Sequence, residues 1–153
     1  MVTVAKDVAQ QLYRSVFAIL AGDTDLITLL DVSLPENPKI YQTFIDFDSA
    51  AALKGDQWIT FGSVNDRPME IEQMQDVREI TLDVHVWVRG PGSDQAEVIE
   101  KRIRELLDNA DLSTETLFVW YSHAAGYSKI YETVPQLWHV TSTYHILAMA
   151  LDA

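Results

Sequence analysis

The sequence predicts an α+β fold: a mixed, mainly antiparallel β-sheet of about five strands with two main helices packed on one face, in the order α-β-β-β-α-β-β. Three observations carry this. Val77 to Arg89 alternates strictly, with Ile80, Leu82, Val84, Val86 and Val88 against Glu79, Thr81, Asp83, His85 and Trp87, the period-2 signature of a half-buried strand. A second alternation, Trp138, Val140, Ser142, Tyr144, Ile146 and Ala148, lies near the end of the chain. Two further stretches repeat their apolar residues at helical spacing instead.

The first helix reads as Val4 to Ala21, with Val8, Leu12, Val16, Ile19 and Leu20 on one face and Tyr13 and Phe17 widening it. Gly22 is expected to stop it in the left-handed cap conformation. Asp23 or Thr24 then caps a short helix, Asp25 to Leu30. Three strands follow: Lys39 to Phe47, Trp58 to Val64, and Val77 to Arg89. Residues 65–77 are too many for a tight hairpin turn and too mixed for a core element, so a protruding β-arm or mobile loop is expected there. Gly90-Pro91-Gly92 leads into the second long helix, Ser93 to Asn109, with Ser93 or Asp94 as cap and Glu97 completing a capping box. Its buried stripe is Ala96, Ile99, Ile103, Leu106, Leu107 and Ala110, and Glu97–Lys101 and Glu100–Arg104 form acid-first pairs on the outer face. Strands Thr116 to Ser122 and Gln136 to Leu151 close the chain. The 153 residues read as one domain, without repeat or linker. Helices on one side leave the other sheet face to Trp87, His85, Leu147 and Met149, large side chains that suggest a buried subunit contact.

Composition excludes several classes. With 23 acidic and 11 basic side chains the net charge is −12, and the basic residues are scattered, which opposes gripping nucleic acid. There is no cysteine, so disulfide scaffolds, thiol catalysis and thiolate zinc sites are out. No run of about 18 apolar residues suggests a membrane span, and Met1 to Asp7 lacks the pattern of a secretory signal.

The candidate chemistries are few. Asp83 and His85 share a strand face, and so do His139 and His145, so neighbouring strands would permit a His/Asp metal cluster. Hydrogen-bonded strand histidines are the plainer reading, since no H-E-x-x-H motif supports a metal, and neither metal nor other cofactor is expected. Asp46 and Asp48 resemble a carboxylate pair, but 23 acids make one such pair ordinary. Phe61-Gly62-Ser63-Val64 lacks the second glycine of a nucleophile elbow. Gly90-Pro91-Gly92-Ser93 has no phosphate-loop lysine, and Pro91 removes a donor. No catalytic residue is expected, and the protein is read as no enzyme.

Arg78 through Leu112 resembles the central unit of bacteriophage tail terminator proteins, also called tail completion or tail-to-head joining proteins. The resembling pattern is an alternating strand ending in Val86-Trp87-Val88-Arg89-Gly90, then a helix ending in Leu106-Leu107-Asp108. Ala21 to Leu30 resembles the early helix of that family, Trp58-Ile59-Thr60-Phe61-Gly62 its second strand, and Thr141 to Leu151 its closing strand. The resemblance implies a virion protein that forms a ring, commonly a homohexamer, at the tail–head junction. Such a ring assembles in the host cytoplasm, caps the tail tube, joins it to a head-side connector or stopper protein, and lets DNA pass through its bore without binding it. Six copies would carry roughly −72 charges (six times −12), so contacts of about 800 Å² per partner must outweigh the repulsion.

Contacts in a ring are heterologous. The arm, with Arg67, Met69, Ile71 and Met74, is one candidate patch, and the outer sheet face with Trp87, Leu147 and Met149 is the other. Glu70, Glu72 and Asp76 are candidates for an acidic lumen wall. The alternatives are another head–tail connector component, such as a stopper or neck protein, and a small metal- or ligand-binding enzyme using His85, His139 and His145.

Overall fold

A computed structural model describes residues 7–31, 38–41, 56–71, 74–90, 93–132 and 136–151, with the side chains at 63–64, 70–71 and 74–76 left outside that description. Helix α1 (Val8–Ala21) buries Val8, Leu12, Val16 and Leu20, four residues apart, and Asp7 caps it by accepting the Gln10 N–H at 3.3 Å. Gly22 ends it in the right-handed region, at φ −85°, not in the expected left-handed cap. Its lack of a side chain serves space instead, since a Cβ there would lie 2.9 Å from the Ala18 carbonyl oxygen. Helix α2 (Thr24–Leu29) is capped by Asp23, which accepts the Leu26 N–H at 2.9 Å.

Strands β1 (Ile40–Tyr41), β2 (Gln57–Ile71), β3 (Met74–Arg89), β4 (Leu117–Glu132) and β5 (Leu137–Ala150) form one sheet in the order β1-β2-β3-β5-β4. β1 runs parallel to β2 and every other pair is antiparallel, so the sheet is mixed and mostly antiparallel. Of the first expected strand, residues 42–47 lie outside the described residues, Asp46 among them, as does Asp48. Helix α3 (Asp94–Leu107) lies on the same face as α1. Ala96, Ile99, Ile103 and Leu107 meet Ile80, Leu82, Val84, Val86, Val140, Tyr144, Ile146 and Ala148 in one core.

Of the β-arm and the loop expected at 65–77, residues 65–71 and 74–77 form the former, continuing β2 and β3 and paired from Asn65↔Thr81 to Ile71↔Met74, while at three further places the structure departs from the sequence reading. Cross-strand ion pairs lace this ribbon, Arg67 to Glu79 at 2.6 Å and Arg78 to Asp66 at 3.7 Å, which no local pattern announces. β4 extends ten residues past the expected Ser122, to Glu132. At the start of α3, Ser93 makes no side-chain cap bond, and Glu97 accepts from Lys129 of β4 at 2.7 Å instead of closing a capping box. Finally, Glu100 is not on an outer face. It is 3% exposed, accepts the Ser142 hydroxyl at 2.8 Å, and keeps Arg104 at 3.3 Å.

Two clasps hold the helical layer. Both oxygens of Asp23 bind the Arg102 guanidinium, at 2.6 and 2.9 Å, joining the start of α2 to α3. That bond, first among the causes, holds the Asp23 carboxyl below its ordinary range. The segment 108–114 then folds along the outer edge of β4. Thr114 N–H donates to the Leu117 carbonyl (2.8 Å), the Ser113 hydroxyl accepts from Val119 N–H (2.9 Å), Asn109 N–H donates to the Ser122 carbonyl (2.8 Å), and Asp108 accepts from Ala124 N–H (2.9 Å).

Candidate functional site

The sheet face turned away from the helices is divided into two ends of different chemistry. At the ribbon end one cross-strand row runs Met69↔Val77↔Met149↔Phe118 through β2, β3, β5 and β4. Leu147 stands one row over beside Tyr121, and Trp120, extruded at a bulge, meets Phe118 edge-on at 4.9 Å. Phe118 is 39% and Trp120 36% exposed, and Met69, Leu147 and Met149 are half-buried. Beside the row, Asn65, Arg67, Glu79 and Thr81 line a shallow polar groove. Alternation explains the row: residues 77, 147 and 149 fall on the parity opposite the core-facing Ile80, Ile146 and Ala148. Three of the sequence candidates, Met69, Leu147 and Met149, are thereby brought together, with Arg67 at their margin. The side chains of Ile71, Met74, Glu70 and Asp76, and the whole of Glu72, lie outside the described residues.

Trp87 is not part of that patch. Ten residues along β3 from Val77, about 33 Å away, it is 3% exposed and already covered within the subunit. It packs with Trp58 and Leu137, donates its Nε1–H to the Thr60 hydroxyl at 2.9 Å, and stacks on His139 at 3.8 Å. The contact face inferred around it is thus corrected: its ring area is spent inside the fold.

His85 and His139 stand beside Trp87 on adjacent strands. His85 Nδ1 and His139 Nε2 are 2.6 Å apart, and the Thr141 hydroxyl lies 3.0 and 3.1 Å from the same two nitrogens. This is a shared hydrogen bond; two ligands of a tetrahedral zinc at about 2.0–2.1 Å would hold their nitrogens ~3.4 Å apart. Burial lowers the pKa of both rings, His139 to about 4, with the neighbouring His85 adding to the effect. His145 does not join them. It sits level with Thr81 and His123, four residues up β5 from Thr141, and Asp83 is engaged by the Thr143 hydroxyl at 2.7 Å. Among the described residues no group of three His, Asp or Glu has metal-binding geometry.

Gly62 makes the histidine packing fit. It lies in a bulge opposite Asp83, Tyr13 donates its hydroxyl to the Gly62 carbonyl at 3.1 Å, and a Cβ at Gly62 would overlap His85 Nε2. Gly62→Ala is therefore expected to displace His85 and cost about 1–3 kcal/mol. Urea unfolding checks this, and adding His85→Ala to the same chain should return part of the loss.

The family model described as tail completion protein gp17 matches residues 14–148, nearly the whole chain. The chain belongs to this family. It is thus a structural, non-catalytic component of the phage tail, concerned with tail completion at the tail–head region. The fold of this tail completion protein is also similar to that of a chain in the virion of a native gene transfer agent particle. That likeness has a TM-score of 0.77 and 12% identity, and covers 95% of this chain and 99% of the other. No curated protein matches it. For such a protein the partly exposed Met69, Met149, Leu147, Phe118 and Trp120 are the feature of interest, and the histidine pair serves packing.

Sequence reasoning missed Glu100 and the strap over β4. Ser142 held the clue to the first, a hydroxyl within a stripe of core residues facing α3, which calls for a polar partner opposite.

Proposed function

We propose that copies of this tail completion protein close into a ring, six in number, that caps the tail tube. The ring joins the tube to the head-side connector or stopper protein and leaves a bore through which DNA passes. The observation that carries this reading is the row in which Met69, Met149 and Phe118 stand partly exposed, with Val77 between them already buried at 1%. A chain with net charge −12 repels its own copies at long range, so assembly must rest on short-range contact, and this row places apolar side chains where a neighbour can cover them. The ribbon, with Arg67, Met69, Ile71 and Met74, reaches to one neighbour, and Leu147, Met149 and Phe118 receive the other. Glu70, Glu72 and Asp76 are proposed to supply the negative charge of the bore, which keeps exiting DNA from adhering.

Native mass spectrometry tests this. The expected result is a six-subunit mass, free or on addition of tail tubes. Met149→Ser with Phe118→Ser is expected to shift assembly to at least tenfold higher concentration while the monomer keeps its circular dichroism. A ring mass unchanged by the double substitution would remove the row from the contact, and a monomer even beside finished tubes would overturn the ring.

A further inference from the structure

The outer edge of β4 is half protected and half bare. From Leu117 to Ala124 its outward groups are taken by the 108–114 strap through Leu117 O, Val119 N, Ser122 O and Ala124 N. In an antiparallel ladder this phase recurs at every second residue. Beyond the bulge at Ala125 it falls on Tyr127, Lys129 and Tyr131, level with Ser142, Val140 and Trp138. Their N–H and C=O groups point away from β5, and among the described residues none meets them. Residues 125–130 are exposed throughout, with Tyr127 at 49% and Ile130 at 54%. The stretch carries no proline and no covering strap, and Lys129, a charge of the kind that guards sheet edges, is drawn aside to Glu97 at 2.7 Å.

What pairs with this edge is set by its own sequence. Gly126-Tyr127-Ser128-Lys129-Ile130-Tyr131-Glu132 holds one cation and one anion, and is neutral in a chain of net charge −12. Two copies that repel one another elsewhere meet least opposition here. Run antiparallel, the stretch also complements itself. A twofold axis through Ser128 sets Tyr127 opposite Lys129 of the second copy, Gly126 opposite Ile130, and the two Ser128 hydroxyls face to face. The backbone phase fits: Tyr127 and Lys129 both carry outward groups and make the hydrogen-bonded pair. Ser128, whose own groups point to Thr141 of β5, makes the close pair between them. The side chains of Tyr127 and Lys129 lie on the side of α3, so cation and ring come together. Ile130, the most exposed large apolar side chain among the described residues, covers the backbone at Gly126, where a Cβ would meet only Thr143, at 3.7 Å. An axis through Lys129 would instead set ammonium opposite ammonium, which is destabilising. The Ser128 axis also keeps the second strand clear of the strap, because Glu132 of the second copy comes level with Ala124, the last residue the strap engages.

We propose that residues 126–131 of β4 pair with the same residues of a second copy of this chain, about a twofold axis through Ser128, and so join two five-stranded sheets into one. The contact is isologous and closes at two copies, so it is no part of a ring. It lies at the end of the sheet away from the apolar row and leaves that row free. The proposal does not rest on the ring reading.

Native mass spectrometry and hydrogen exchange on the full chain test it. Both are repeated in the Met149→Ser, Phe118→Ser chain, which separates this contact from the ring. A two-subunit mass should appear as concentration rises and persist in that chain. The amides of Tyr127 and Lys129 should exchange at least tenfold more slowly in the dimer than in dilute monomer. Tyr127→Pro removes an outward donor and no bond to β5. It should keep the circular dichroism of the monomer and raise the dimer dissociation constant at least tenfold. Because the chain has no cysteine, cross-linking gives a further measurement. Ser128→Cys, at the close pair with Cα atoms about 4.5 Å apart, should oxidise to a covalent dimer. Ile130→Cys, about 14 Å from its counterpart, should not. Amides that are not slowed, together with a Ser128→Cys chain that stays single, overturn the proposal, and a six-subunit mass in the same sample leaves the ring standing. Covalent dimers from both cysteine variants alike would be unspecific collision and overturn it too. So would a two-subunit mass that survives Tyr127→Pro. Slowing of the amides only when tail tubes are added would assign the edge to a different protein and overturn it as well.

Discussion

Trp58→Ala is expected to lower the unfolding free energy by about 3–5 kcal/mol. Trp58 is 1% exposed, stacks nearly parallel to Trp87 with ring centroids 6.3 Å apart, and has the Arg89 guanidinium 5.8 Å above its ring. With Leu137 and Tyr41 it makes a second, small core on the face away from the helices. Nothing rigid stands ready to collapse into the vacated space, because its neighbours are strand residues fixed in register. Urea unfolding followed by circular dichroism checks the value; a loss below about 1 kcal/mol would mean that the second core adds little.

Acid should weaken the fold in a window set by the histidine pair. An unfolded imidazole protonates near 6.5, whereas His139 in the folded protein protonates only near 4, and the His85 pKa is lowered as well. Between those values the unfolded chain binds the extra proton, so stability is full above pH 6.5 and falls as pH drops toward 4. For His139 alone the loss approaches about 3 kcal/mol. The facing groups are Asp83 on its own sheet face, Glu132 with a carboxylate oxygen 3.8 Å from His139 Nδ1, and the Thr141 hydroxyl, which carries no charge. Neither carboxylate overcomes the burial. Unfolding midpoints at pH 7, 5.5 and 4.5 should decline steeply in the natural chain and less steeply in His85→Gln with His139→Gln. Equal slopes would detach the acid response from this pair.

What the sequence revealed depended on whether a residue's role was set locally. β3, β5 and the helices α1 and α3 each bury one side, and their periodicities gave their positions to within a few residues. The second half of β4 has no such pattern, because residues 125–130 are exposed on both faces, and only pairing with β5 makes them a strand. For the ribbon the sequence left a β-arm and a loop as alternatives for a related reason, since Arg67 and Glu79 are twelve residues apart and their bond exists only in register. Trp87 lies on the face that alternation assigned to it, yet Trp58 and His139, both distant in sequence, cover it there. Glu100 had the spacing of a surface pair with Arg104, and it took the long-range approach of Ser142 to bury it. Met69, Leu147 and Met149 were picked singly as apolar residues in polar company; that they form one row follows from a register no single segment encodes.

The irregularities of the sheet lie in its flanking strands and in the ribbon. β2 bulges between Phe61 and Val64, the ribbon slips register where one β2 residue between Met69 and Ile71 faces two of β3, and β4 bulges between Val119 and Tyr121 and between Ala124 and Gly126. β3 and β5 stay in uninterrupted pairing from Val77↔Met149 to Arg89↔Leu137. Bulged strands bend and twist while an unbroken pair holds its length. The central pair therefore acts as a ruler, and the borders curl around it. Bodies seated at its two ends are kept about 33 Å apart by ten residues of extended chain, and inserting two residues into each of β3 and β5 would lengthen that spacing by about 7 Å.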